Sequence, residues 1–231
     1  MNARILWLVE FLLLVALIES SANAQDMKPP LRFGIFAGLG FPTGDFGSTS
    51  STQAGGASTG FSFGGEFGIP LSDAVAVWTS ATFAFNSLSE DFITSSSGSS
   101  SPVSGTLGTW TTIWPMTGIR YTAPISPALN FYAQGQLGLL LGSSPDVSAS
   151  QSGYKYVAPS ASATSFAYGF GAGLTIGKTV NVGLRYSGSQ PTYEYKVTVT
   201  QSSPGFTSTY NYDAKSDFPT ALFQLVIGLI F

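Results

Sequence analysis

Phe166-Ala167-Tyr168-Gly169-Phe170-Gly171-Ala172-Gly173-Leu174-Thr175-Ile176 decides the fold class. A β-strand sends successive side chains to opposite faces. One face of this segment then carries Phe166, Tyr168, Phe170, Leu174 and Ile176, and the other carries Gly169, Gly171, Gly173 and Thr175. A helix would scatter both sets around its axis. A strand of this length is also longer than the ~5–6 residues usual in a soluble sandwich. It suits a sheet with lipid on its bulky face and a narrow interior on its small one.

The same alternation recurs on either side. Leu31, Phe33, Ile35, Ala37, Leu39 and Phe41 oppose Arg32, Gly34, Phe36, Gly38 and Gly40. Phe61, Phe63, Phe67 and Ile69 oppose Ser62, Gly64, Glu66 and Gly68, and Val75, Val77, Phe83 and Phe85 oppose Ser80, Thr82 and Asn86. Leu129, Phe131, Ala133, Leu137 and Leu139 oppose Asn130, Tyr132, Gln134 and Gln136. Val180, Val182, Leu184 and Tyr186 oppose Asn181, Gly183, Arg185 and Ser187, and Phe223, Leu225, Ile227, Leu229 and Phe231 close the series. The fourth segment, 107–121, is the least regular, because Thr109, Thr111 and Thr117 fall on the bulky face. Eight segments result. At ~3.3 Å per residue and a ~40° tilt, each spans the ~25 Å apolar band of an outer-membrane barrel. In lipid a sheet survives only when it has no edges. The fold class expected is therefore all-β, a closed antiparallel up-and-down transmembrane β-barrel of about eight strands.

Composition agrees. Charged residues are 9% of the 231 residues, against ~25% in an ordinary soluble domain. A net charge of −3 implies neither nucleic acid nor an anionic surface as partner. With no Cys, disulfides, thiolate metal sites and Cys nucleophiles are excluded. At the N-terminus Arg4 precedes the apolar run 11–18, and Ala22-Asn23-Ala24 has the small-x-small form of a cleavage site. The reading is a signal peptide at 1–24, export, and a barrel domain at 25–231.

Long Ser/Thr/Gly-rich links (42–59, 87–106, 142–164, 188–216) alternate with short ones (70–73, 122–128, 177–179). That order places both ends of the barrel in the periplasm and four loops outside. Pro70-Leu71-Ser72-Asp73, Pro124 with Pro127, and Gly177-Lys178 supply turn chemistry to the short links. Tyr193-Glu194-Tyr195-Lys196-Val197-Thr198-Val199 alternates as well, and extends the seventh strand beyond the bilayer. The aromatic residues of the long links (Tyr154, Tyr156, Tyr193, Tyr195, Phe206, Tyr210, Tyr212) then either extend strands at the interface or bind a surface ligand.

Two kinds of motif carry a family resemblance. Gly38-Leu39-Gly40-Phe41-Pro42-Thr43-Gly44-Asp45-Phe46 resembles the end of the first strand in the small bacterial outer-membrane β-barrel family (porin-like, with an OmpA-type barrel domain). Gly118-Ile119-Arg120-Tyr121 and Gly183-Leu184-Arg185-Tyr186 resemble elements of the same family. The closing run to Phe231 looks like the terminal strand of such proteins. That likeness implies the barrel-assembly machinery as a biogenesis partner and Phe231 as the assembly signal. The resemblance implies an integral protein of the bacterial outer membrane, in contact with its lipids, acting structurally or as a narrow porin-like conduit. The alternative is an adhesin or ligand-binding barrel working through its outer loops.

Catalysis is not expected. The chain has no His, and a Ser or Thr nucleophile needs an adjacent base. The acidic pair Glu90-Asp91 reads as a solvated loop tip, and no cofactor or metal set is recognised. Gly173 to Thr179 falls one residue short of a phosphate-binding loop and runs on as a strand, so it reads as a turn. Arg32, Glu66, Arg120 and Arg185 all fall on the inner faces by parity. Glu66 and Arg185 lie at similar depth on the second and seventh segments, and are expected to pair across the lumen with Arg32 nearby. Such a cluster either plugs the barrel or forms a polar constriction.

Overall fold

A computed structural model describes residues 31–51, 53–92, 104–151, 153–177 and 179–231. The expected leader at 1–24 lies outside these residues. Thirteen strands follow in chain order: β1 (Arg32–Pro42), β2 (Gly60–Pro70), β3 (Val75–Ser87), β4 (Ser104–Leu107), β5 (Thr109–Ser126), β6 (Leu129–Ser143), β7 (Val147–Gln151), β8 (Tyr154–Ala158), β9 (Ser162–Ile176), β10 (Val180–Ser189), β11 (Thr192–Ser203), β12 (Phe206–Asp217) and β13 (Thr220–Ile230).

Eight of them form a closed barrel, in the order β1-β13-β10-β9-β6-β5-β3-β2. All the pairings in this ring are antiparallel, and β1 closes on β13 with Gly34 opposite Ile230 and Pro42 opposite Leu222. The faces follow the sequence parity. Phe33, Ile35, Leu39, Phe63, Leu137, Phe166, Phe170, Leu184, Leu225 and Ile227 are exposed on the outer wall, while Ser62, Glu66, Trp78, Tyr132, Arg185 and Gln224 are buried. With water inside and out this pattern would be inverted. Lipid outside accounts for it. Of the threonines that interrupt the apolar wall, Thr117 is satisfied by Thr79, its cross-strand partner, with the two hydroxyls 3.0 Å apart.

The structure departs from the sequence reading in two places. Pro124 does not belong to a turn: β5 runs on to Ser126, and the register with β6 shifts between Pro124 and Ser126. A bulge is where a strand tolerates a residue without an N–H, and it moves the turn to Pro127-Ala128. The links 142–164 and 188–216 are not merely loops. They hold β7, β8, β11 and β12, which with β4 form a second, five-stranded antiparallel sheet in the order β12-β11-β8-β7-β4. Their Ser and Thr content lowers apolarity, but these residues alternate with Val and Tyr, and that pattern still suits a strand. At the opposite end, Gly177 turns the chain between β9 and β10 with φ +61°, a conformation that favours glycine.

Candidate functional site

Eight strands leave an interior just wide enough for side chains, and here they fill it. Near the end where β1 begins, Glu66 of β2 reaches into the lumen between two guanidiniums. Arg185 Nη2 on β10 donates to Glu66 Oε2 at 2.7 Å, and Arg120 Nη2 on β5 donates to the same oxygen at 3.2 Å. Asn181 Nδ2 donates to Glu66 Oε1 at 3.4 Å. A glutamine relay completes the layer. Arg120 Nε donates to Gln134 Oε1 at 2.9 Å, Gln134 Nε2 to Gln136 Oε1 at 3.1 Å, and Gln136 Nε2 to the Trp78 carbonyl at 3.1 Å. The guanidiniums also lie over aromatic rings. Arg120 sits 3.5 Å from the Trp78 centroid and 4.5 Å from Tyr132, and Arg185 sits 4.1 Å from Phe36, in the range of desolvated cation–π contacts.

The glycines of the inner face make room for this layer. A Cβ on Gly68 would lie 2.1 Å from the Trp78 ring, one on Gly183 would lie 2.0 Å from the Tyr132 hydroxyl oxygen, and one on Gly34 would lie 2.9 Å from Glu66 Cγ. Among the described residues the small face therefore receives flat aromatic rings. Above the layer, toward the long loops, a cavity of about 10 Å³ remains among Ser80, Thr82, Gln134, Gln136, Arg185, Ser187 and Gln224. This is about enough for one water molecule. Trp114, Met116, Leu140 and Ala167 pack above it.

The mouth is closed by different chemistry. Phe46, in the 3-10 turn Gly44–Phe46, is fully buried against Trp110. Trp110 also meets Tyr193 and Phe218 edge-on, with ring centroids 5.5 Å apart in each case. Trp110 Nε1 donates to the Gly55 carbonyl at 2.9 Å, which ties the first long loop to the barrel. Burial raises the Tyr193 phenol well above its ordinary range and pushes Tyr195 up to about 12.

Beyond the mouth the second sheet is amphipathic. Tyr156, Val199 and Tyr210 stand side by side on adjacent strands, and Val197 stands beside Tyr212. Tyr154, Tyr156, Tyr210 and Tyr212 are 39%, 42%, 58% and 52% exposed. The opposite face carries Lys155, Thr200, Thr209, Lys196, Asp213, Glu194 and Lys215.

The structure thus brings Glu66, Arg120 and Arg185 together and leaves Arg32 out. Arg32 is exposed at the rim and forms no ion pair among the described residues. Its parity is right, but it lies at the strand end where the lumen opens to solvent. Glu90 and Asp91 are both exposed. Phe231 is exposed, and its backbone bonds to Phe33 in both directions, at 2.7 and 3.2 Å. Sequence reasoning passed over Trp78 and Gln224. Both obey the inner-face parity, which was the signal available for them.

The family model described as outer membrane protein β-barrel domain matches residues 11–221. The chain belongs to the outer membrane protein β-barrel domain family. It is an integral outer-membrane barrel. No curated protein matches it by sequence. Among solved structures, this family member is similar to a major outer membrane protein from Thermus thermophilus, at 10% identity and a TM-score of 0.52, over 88% of this chain and 100% of that one. It also resembles Neisserial surface protein A, at 12% identity and TM-score 0.48 over 89% and 98% of the two chains. OprG from Pseudomonas aeruginosa matches at 12% identity and TM-score 0.46 over 90% and 99%. At these identities the likeness concerns the fold alone.

Proposed function

We propose that this outer-membrane barrel is a non-catalytic surface-binding protein: its lumen is a structural plug, and the sheet beyond the mouth does the work. The observation that carries the plug is the layer of Glu66, Arg120 and Arg185 with Trp78, Tyr132 and Phe36, above which the described residues leave a cavity of about 10 Å³. A hydrated ion needs a passage many times larger. The narrow-conduit reading would require the two ion pairs to break during permeation, which is costly in so dry a place. The surface-binding reading is supported by the exposed face of Tyr154, Tyr156, Tyr210 and Tyr212. Tyrosines pair an apolar ring with a hydroxyl, which suits the ring faces and hydroxyls of a glycan. Cleavage after Ala24 and recognition of Phe231 by the assembly machinery belong to the same reading.

Two measurements test it. Refolded protein in a planar bilayer should be electrically silent, with folding verified by the altered migration of the unheated sample on a gel. Discrete conductance steps would overturn the plug. Replacing 198–211 by an Asn-Gly turn joins Val197 to Tyr212, which are cross-strand partners, with a turn that suits a hairpin. Cells displaying this variant should lose adherence to glycan-coated surfaces while the barrel still folds. Unchanged adherence would overturn the surface-binding role.

A further inference from the structure

We propose that the lumen contains a binding site for one monovalent inorganic anion of chloride size, held between Arg185 and Gln224 beside the ionic layer. The first observation is charge. Among the described residues, Glu66 is the one carboxylate that faces Arg120 and Arg185 within the lumen. One of the two buried guanidinium charges is left without a counter-charge, and an unbalanced charge in a dry interior is expensive.

The second observation is which hydrogen-bonding atoms are left over. Arg185 donates through Nη2 alone, while its Nε and Nη1 are buried without a partner, as is Gln224 Nε2. Arg185 is 5% exposed and Gln224 is 2% exposed, and both line the 10 Å³ cavity. The oxygens around it (Gln224 Oε1, the Thr82 and Ser187 hydroxyls and the two glutamine carbonyls) are all neutral. Gln136 Oε1 already accepts from Gln134 and Ser80, and Gln134 Oε1 accepts from Arg120. Thr82 and Ser187 add hydroxyls that can turn their hydrogens inward. Among the described residues, no carboxylate lines the cavity. A cluster of donors with surplus positive charge is a site for an anion. The cavity is about the size of one water molecule, so chloride enters only as the flexible Gln224 and Met116 side chains give way, and phosphate, sulfate and organic acids are excluded.

Gln224→Leu is the informative variant, because it removes one donor and leaves both ion pairs intact. Crystals of the wild-type protein grown in bromide should give an anomalous peak between Arg185 and Gln224, and crystals of the variant should lack it. In detergent, the thermal midpoint read from heat-modified gel migration should rise with chloride relative to gluconate at equal ionic strength. Well above saturation, a tenfold increase in chloride should shift the folding equilibrium about tenfold. The variant should respond equally to the two salts. Density without anomalous signal would identify a water and overturn the proposal. So would bromide bound only at the surface, or equal wild-type midpoints in the two salts.

Discussion

The lumen is shut twice, by unlike means. Around Glu66, closure depends on one carboxylate shared by two guanidiniums: remove it and both stay buried and unmatched. Around Trp110, closure depends on ring packing and one indole hydrogen bond. There, losses scale with the surface and the bond removed. An ionic layer fixes one geometry sharply, whereas an aromatic cap tolerates substitution in proportion to size.

Glu66→Gln should break this contrast most strongly. It keeps the shape but leaves Arg120 and Arg185 without their carboxylate, and the expected loss is about 3–5 kcal/mol in urea unfolding from micelles. A double-mutant cycle on Glu66 and Arg185 should show strong coupling. Trp110→Phe should cost less, about 1–3 kcal/mol, because most of the ring contact survives and the Gly55 carbonyl alone loses its donor. If the two losses come out equal, the comparison fails.

The mouth should also respond to alkali. The folded-state pKa values of Tyr193 and Tyr195 are raised, so their stabilising effect is complete below the unfolded value of about 10. It is lost as pH rises from there through about 12 for Tyr195 and beyond for Tyr193. Tyrosinate absorbance, followed alongside unheated gel migration, should show the mouth tyrosines ionising last and the fold weakening in that window. Arg32→Ala should give the smallest effect, within about 0.5 kcal/mol, since a solvated rim charge outside the ionic layer contributes little.

Strand positions were legible in the sequence because parity is a local property. Phe166 to Ile176 declares its two faces without help from any other segment. The inner charges were legible for the same reason, and depth counted from the short turns put Glu66 near Arg185. Arg120's share in the pair was harder to see. It depends on the stagger between β5 and β2, which lie on either side of β3 in the ring, and the bulge at Pro124 offsets any count made from that turn. The glycine faces left plug and constriction equally open for a physical reason. A missing Cβ is compatible equally with open space and with a neighbour's ring, and which of these holds is decided by Trp78 and Tyr132 on other strands. The outer sheet was legible only where Tyr193 to Val199 alternates. Ser148, Ser150 and Thr106 carry too little apolar contrast to announce β7 and β4.

Gly34 and Ile230, from opposite ends of the barrel sequence, are neighbours in space. No smaller closed ring can form along the way, so every partly assembled state has two raw strand edges, one at β1 and one on the last strand added. The ring is complete only when β1 meets β13. Spontaneous closure would have to find this distant partner against the longest loop the chain can offer. A folding rate that rises sharply when the β1 edge is held by an added strand, and slows when Phe33 or Phe231 is replaced by proline, would be the kinetic trace of that seam.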